Sequence, residues 1–172
     1  KERVTGIDLF EALMKRSAEQ GWRVFLLGAR EEVVSGVARI YPARYPGLTL
    51  AGYRNGYWTP EEEEGVVAAI AATRPDILFV AMGSPQKEIF LSRYRAQLGV
   101  PFVMGVGGSF DVVAGKTRRA PQWMQRWGLE WLFRLFQEPK RMWRRYLIGN
   151  TSFIMLVIRE LAGSRFRKGR AR

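Results

Sequence analysis

The chain has 172 residues, is 47% hydrophobic, carries a formal net charge of +12 and contains neither histidine nor cysteine. That length fits one core-forming domain with a small appendage, and the apolar content excludes a disordered chain. Disulfides, Cys-type zinc sites and thiol or imidazole nucleophiles are excluded too, so any chemistry falls to carboxylates, arginines and backbone amides.

The opening, KERVTGIDLF, has no charged-then-apolar leader pattern. It reads as mid-protein sequence, and a segment preceding Lys1 is expected. A helix is predicted over Asp8 to Gln20, then a strand at RVFLLG (23–28), a helix from Glu31 to Ile40 and a strand at LTLAGY (48–53). Thr59-Pro60 followed by Glu61 to Glu64 supplies a cap, a first-turn proline and acidic residues in the order a helix start requires; that helix runs to Thr73. The four glutamates are read as a solvated first turn rather than a metal site. DILFVAMG (76–83) and PFVMGVGG (101–108) are continuous apolar runs, as expected of strands buried on both faces, with a helix over Pro85 to Leu98 between them. Strand starts recur about every 25 residues, the cadence of strand–helix units. The fold class that follows is α/β: a Rossmann-like, mostly parallel sheet flanked by helices.

Such sheets bind ligands at the carboxyl ends of their strands. Two strand ends here are rich in glycine, MGSPQKE after the third strand and GVGGSFD after the fourth. Glycine admits close approach of a ligand to the backbone, and a helix starting near Pro85 would aim free amides at a phosphate. Neither a three-glycine dinucleotide turn nor a Walker-type GK[ST] is present, so a nucleotide would be held in another way.

From Lys116 the character changes. Residues 1–115 hold 13 basic and 13 acidic side chains, whereas 116–172 hold 15 basic and 3 acidic, so the whole excess charge sits in the last third. Trp123, Trp127 and Trp131 recur every four residues, the spacing of one helical face. Pro139 is expected to open a second helix carrying Lys140, Arg141, Arg144 and Arg145. Three readings stay open: a packed helix with a basic rim, a membrane-surface element in which indoles and cations meet anionic headgroups, or a single-stranded nucleic-acid platform. Phe153 to Ile158 is too short to span a bilayer.

Five segments together resemble the WecG/TagA/CpsF family of bacterial glycosyltransferases: RVTGIDL (3–9), NGYW (55–58), MGSPQKEIF (82–90), MGVGGSFDVVAG (104–115) and RAPQWMQRWGLEWLFRLFQEPKR (119–141). The resemblance implies an inverting transferase that needs no metal or cofactor. It would move an N-acetylmannosamine-type sugar from a UDP-sugar donor to N-acetylglucosamine on a polyprenyl diphosphate. Residues 1–115 would form the nucleotide-sugar core, and 116–172 a basic appendage meeting an anionic membrane surface and the lipid-linked diphosphate. Nucleic acid is not an expected partner, and homo-oligomerisation is left open. The expected location is cytoplasmic, peripheral on the inner face of the membrane.

By the same resemblance, the expected substrate-binding residues are Tyr57, Gly83, Ser84, Gln86, Lys87, Glu88, Gly107, Asp111 and Arg119. Arg134, Arg141 and Arg144 are expected to stabilise the departing diphosphate. Arg119 and Glu130 can equally well pair within the appendage. The family order after GSP is a basic residue then glutamine, whereas here Gln86 precedes Lys87. The family's base aspartate is expected upstream of Lys1, and Asp8 is read as a helix N-terminal residue. The alternatives are a nucleotide- or nucleic-acid-binding α/β module with a basic tail, or a non-catalytic membrane-surface protein.

Overall fold

A computed structural model describes residues 5–137 and Pro139. Helix α1 (Gly6–Gln20) starts two residues before the predicted Asp8 because Thr5 is its N-cap. Thr5 and Asp8 form a capping box, and Gly21 ends the helix in the left-handed region at φ 69°. Phe10, Met14 and Ser17 make its buried face, at the i, i+4, i+7 spacing of an amphipathic helix.

The sheet is built from β1 (Arg23–Gly28), β2 (Thr49–Arg54), β3 (Ile77–Ala81) and β4 (Phe102–Gly105), in the order β2-β1-β3-β4. All three pairings are parallel, so all four carboxyl ends lie on one edge. The intervening helices are α2 (Glu31–Arg44), α3 (Glu63–Ala72) and α4 (Gln86–Leu98), followed by the short α5 (Ser109–Val113). Helix α2 runs past the predicted Ile40 with Pro42 inside it. The start predicted for α3 at Pro60 is a 3-10 turn, Pro60–Glu62, closed by a Thr59–Glu62 capping box. The four glutamates thus occupy helix-start positions.

Alternate strand residues feed two cores. Val24, Leu26, Ile77 and Phe79 pack with α1, α2 and Phe110 of α5 on one face. Phe25, Leu27, Leu78 and Val80 pack with α3 and α4 on the other. Phe10 is fully buried at the centre of the first core, edge-on to Tyr41 and Phe79 with ring centroids 5.4 and 4.7 Å apart. A buried ring of this size contributes roughly 3 kcal/mol by area alone. The chain steps from β1 out to β2 under α2, then back across β1 to β3 and β4 under α3 and α4. The direction of winding therefore reverses between β1 and β3, the position where open α/β sheets place their ligands.

The chain divides into two compact units at Arg118/Arg119. In the second, α6 (Gln122–Arg126) and α7 (Glu130–Gln137) are separate helices. Gly128 adopts φ 70°; its amide donates to Gln125 O at 3.2 Å, and the Leu129 amide to Met124 O at 2.8 Å. This paired closure is a Schellman motif. The tryptophan periodicity is therefore not that of one continuous helix: Trp123 lies in α6, Trp127 at its C-cap and Trp131 in α7. Trp127 and Phe136 are 80% and 74% exposed. Among the described residues, no helix is long and apolar enough to cross a membrane.

Candidate active site

The floor of the carboxyl edge is backbone packed on backbone. Gly28 ends β1 at φ 113°, and a Cβ there would lie 2.5 Å from Ala81 O. Only glycine fits both demands. The next amide, Ala29 N–H, donates to the same Ala81 O at 2.9 Å, bridging β1 to β3 at the reversal point. Gly56 then sits on Gly28, where a Cβ would come within 3.1 Å of Gly28 Cα. The Gly56 amide donates to Ala29 O at 2.9 Å.

Three of the four residues of the NGYW loop are anchors. Asn55 Nδ2 donates to Glu31 Oε2 at 2.7 Å, and Asn55 Oδ1 accepts from the Tyr57 amide at 3.0 Å. Gly56 is seated as above. Trp58 is partly buried in the second core, its ring 5.6 Å from that of Phe90 in α4. Tyr57 is left 67% exposed. A large ring held out by a loop fixed on both sides is suited to stack on a planar ligand.

The ends of β3 and β4 are joined by one side chain. Lys87, in the first turn of α4, lies across Gly105: a Cβ on Gly105 would meet its Nζ at 2.8 Å and its Cδ and Cε at 3.0 Å. The Lys87 amide closes the preceding turn onto Gly83 O at 3.0 Å, and its ammonium pairs with Glu88 Oε1 at 3.1 Å. The carboxyl of Glu88 is held below the usual glutamate range, first by its own backbone amide and next by Lys87. After β4, Val106 N–H donates to Val80 O at 2.9 Å. The buried Ser109 hydroxyl donates to Val106 O at 2.7 Å. Gly107 between them takes φ 53°. Asp111 O accepts from the Lys116 and Thr117 amides, and Lys116 Nζ pairs with Glu32 Oε1 at 2.8 Å. That bond is the main reason the Glu32 carboxyl also lies below its usual range.

Tyr57, Gly83, Ser84, Gln86, Lys87, Glu88, Gly107 and Asp111 thus all belong to the first unit, at or just beyond the sheet's carboxyl edge. Lys87 is half-buried and touches both glycine-rich ends, while Gln86 is exposed. Of the two exchanged positions, the lysine is the one packed against the end of β4. Arg119 and Arg134 belong to the second unit. Arg141 and Arg144 lie outside the described residues, as does the helix expected from Pro139. Asp8 is a capping residue of α1.

Sequence reasoning missed Gly28, Gly56 and Gly105 as close-packing positions, and Glu31 and Asn55 as a pair. Asn-Gly is a turn signal, but nothing local marks its partner 24 residues earlier.

A doubly wound parallel sheet whose two glycine-rich ends and anchored, ring-bearing NGYW loop share one edge defines an α/β protein with a candidate ligand site at that edge. The chain belongs to the glycosyl transferase WecG/TagA/CpsF family, whose model matches residues 1–167. It is 37% identical over 160 residues to the N-acetylglucosaminyldiphosphoundecaprenol N-acetyl-beta-D-mannosaminyltransferase of Bacillus subtilis, covering 93% of this chain and 61% of that protein. It is 40% identical over 147 residues to the protein of the same name from Bacillus spizizenii, covering 86% of this chain and 56% of that one. The chain therefore spans about three-fifths of the length of these relatives.

Proposed function

We propose that this chain is the donor-site and appendage part of an inverting, metal-independent glycosyltransferase. Its donor is a UDP-linked N-acetylmannosamine-type sugar. Its acceptor is N-acetylglucosamine on a polyprenyl diphosphate, at the cytoplasmic face of a membrane. The observation that carries this reading is the convergence of Tyr57, Lys87 and two glycine-rich strand ends on one sheet edge in a member of this family. The names of the two Bacillus relatives support the sugar and the acceptor.

In this reading Tyr57 stacks on the uracil, and exposed amides around Gly83 and Gly107 face the diphosphate. Lys87 supplies a fixed positive charge between the two strand ends. As the glycosidic bond breaks, negative charge grows on the leaving UDP, and cations placed there stabilise the transition state more than the ground state. Arg134, Arg141 and Arg144 are assigned the same task from the appendage. The acceptor hydroxyl's proton goes to a carboxylate base. The exposed Trp123, Trp127 and Phe136, with the neighbouring arginines, suit an interfacial seat on anionic lipid.

Calorimetric titration with UDP in chelator tests the donor site, and mass spectrometry of lipid-linked products from UDP-N-acetylmannosamine tests the reaction. UDP binding that depends on added divalent metal, or products from a nucleotide other than UDP, would overturn it.

A further inference from the structure

We infer that Glu31, together with Asn55, is a positioning residue that sets Tyr57 for the nucleotide; this rests on the donor-site reading above. Glu31 opens α2 on the β1 side of the edge, whereas Tyr57 follows β2. Their connection is a single side-chain amide. Asn55 donates through Nδ2 to Glu31 Oε2 at 2.7 Å and accepts through Oδ1 from the Tyr57 amide at 3.0 Å. Only one orientation of the amide satisfies both, because a carboxylate cannot donate and a backbone N–H cannot accept.

The loop's other two anchors do not fix the ring. Gly56 holds the backbone down on Gly28 and Ala29, and Trp58 holds the far end on Phe90. Tyr57 lies between them, and its own amide is directed by Asn55. An exposed ring on a loosely held loop loses conformational freedom on binding, while a pre-set ring has less to lose. The Glu31–Asn55 bond is solvent-exposed, so its loss perturbs folding little. Its effect is read in ligand affinity.

Side-chain exchange tests this in the 172-residue chain, with UDP as the probe. Asn55→Asp sets two carboxylates against each other and should weaken UDP binding about fivefold, the scale of one hydrogen bond. Glu31→Gln alone should be nearly neutral, since its amide oxygen still accepts from Asn55. Glu31→Gln combined with Asn55→Asp should restore affinity, because Gln donates to Asp. Unfolding midpoints should stay near that of the parent chain. If Asn55→Asp does not fold, Glu31→Ala carries the test and should weaken UDP binding while speeding hydrogen exchange of the Tyr57 amide. Equal UDP affinity in the parent and in Asn55→Asp, or failure of the double variant to recover, overturns the positioning role alone. Absence of UDP binding by the parent chain overturns the donor-site reading and this role with it.

Discussion

The Lys87 side chain is laid over Gly105, and this contact ties the end of β3 to the end of β4. The stem needs the space a Cβ would take, so Gly105 is glycine for the lysine's sake rather than for its own φ. Gly105→Ala should push the flexible lysine aside with little loss of stability, and weaken UDP binding. Lys87→Met keeps the stem and removes the charge, so it should weaken UDP binding about tenfold, as expected of a charge-assisted bond. Calorimetry beside thermal unfolding separates the two effects. Unchanged affinity in Lys87→Met would remove Lys87 from the donor site.

Glu88 and Glu32 both titrate below the ordinary glutamate range. A carboxyl depressed in the folded state stabilises the fold only while ionised. Its contribution is complete above the unfolded value of about 4.3 and is lost as pH falls through the lower folded value. The 83–88 turn and the Glu32–Lys116 tie should therefore hold at pH 5 and loosen only in stronger acid. Lys116→Ala should move Glu32 back toward its ordinary range, since Lys116 is the largest cause of its shift. Side-chain carboxyl titration by NMR reads this directly; no movement of Glu32 would contradict the pairing.

Gly28→Ala should be severely destabilising. The added methyl would sit 2.5 Å from a backbone oxygen of β3, at a φ of 113° that L residues rarely adopt. Neither side of that contact is a movable side-chain end. A loss of more than about 3 kcal/mol in urea unfolding is expected, whereas Gly83→Ala, with open space around it, should cost far less.

The sheet was legible because strand and helix periodicities alternate cleanly. Of the two runs expected to be buried on both faces, β3 is so buried, whereas β4 stands at the end of the strand order with Phe102 exposed, because an apolar run alone does not distinguish a central strand from an edge strand. The place of the candidate site at the carboxyl edge was legible because GSP and GVGG interrupt those runs. Gly28 and Gly56 were not recognised because their constraint is a through-space contact between segments distant in sequence. The tryptophan spacing misled because periodicity alone ignores the C-cap glycine. In QRWGLEW, Gly128 with Leu129 after it carries a Schellman signature, and this ends α6 between Trp127 and Trp131.

The second unit exposes large apolar rings. Replacing Trp127 and Phe136 together by alanine removes two of its most exposed apolar side chains. Each such side chain contributes on the order of 2 kcal/mol when buried, so sedimentation with anionic vesicles should fall by well over tenfold while UDP affinity is kept. Undiminished sedimentation would show that these rings do not meet lipid.

Chemical-shift mapping of the 172-residue chain with UDP, in the presence of chelator, decides whether the carboxyl edge is the donor site. Saturable shifts are expected, concentrated at residues 28–30, 55–58, 82–88 and 105–111. They should be little changed when magnesium replaces the chelator. No saturable shifts, shifts only with metal, or shifts confined to the groove between β2 and α3 lined by Phe25, Tyr53 and Val66 would contradict it.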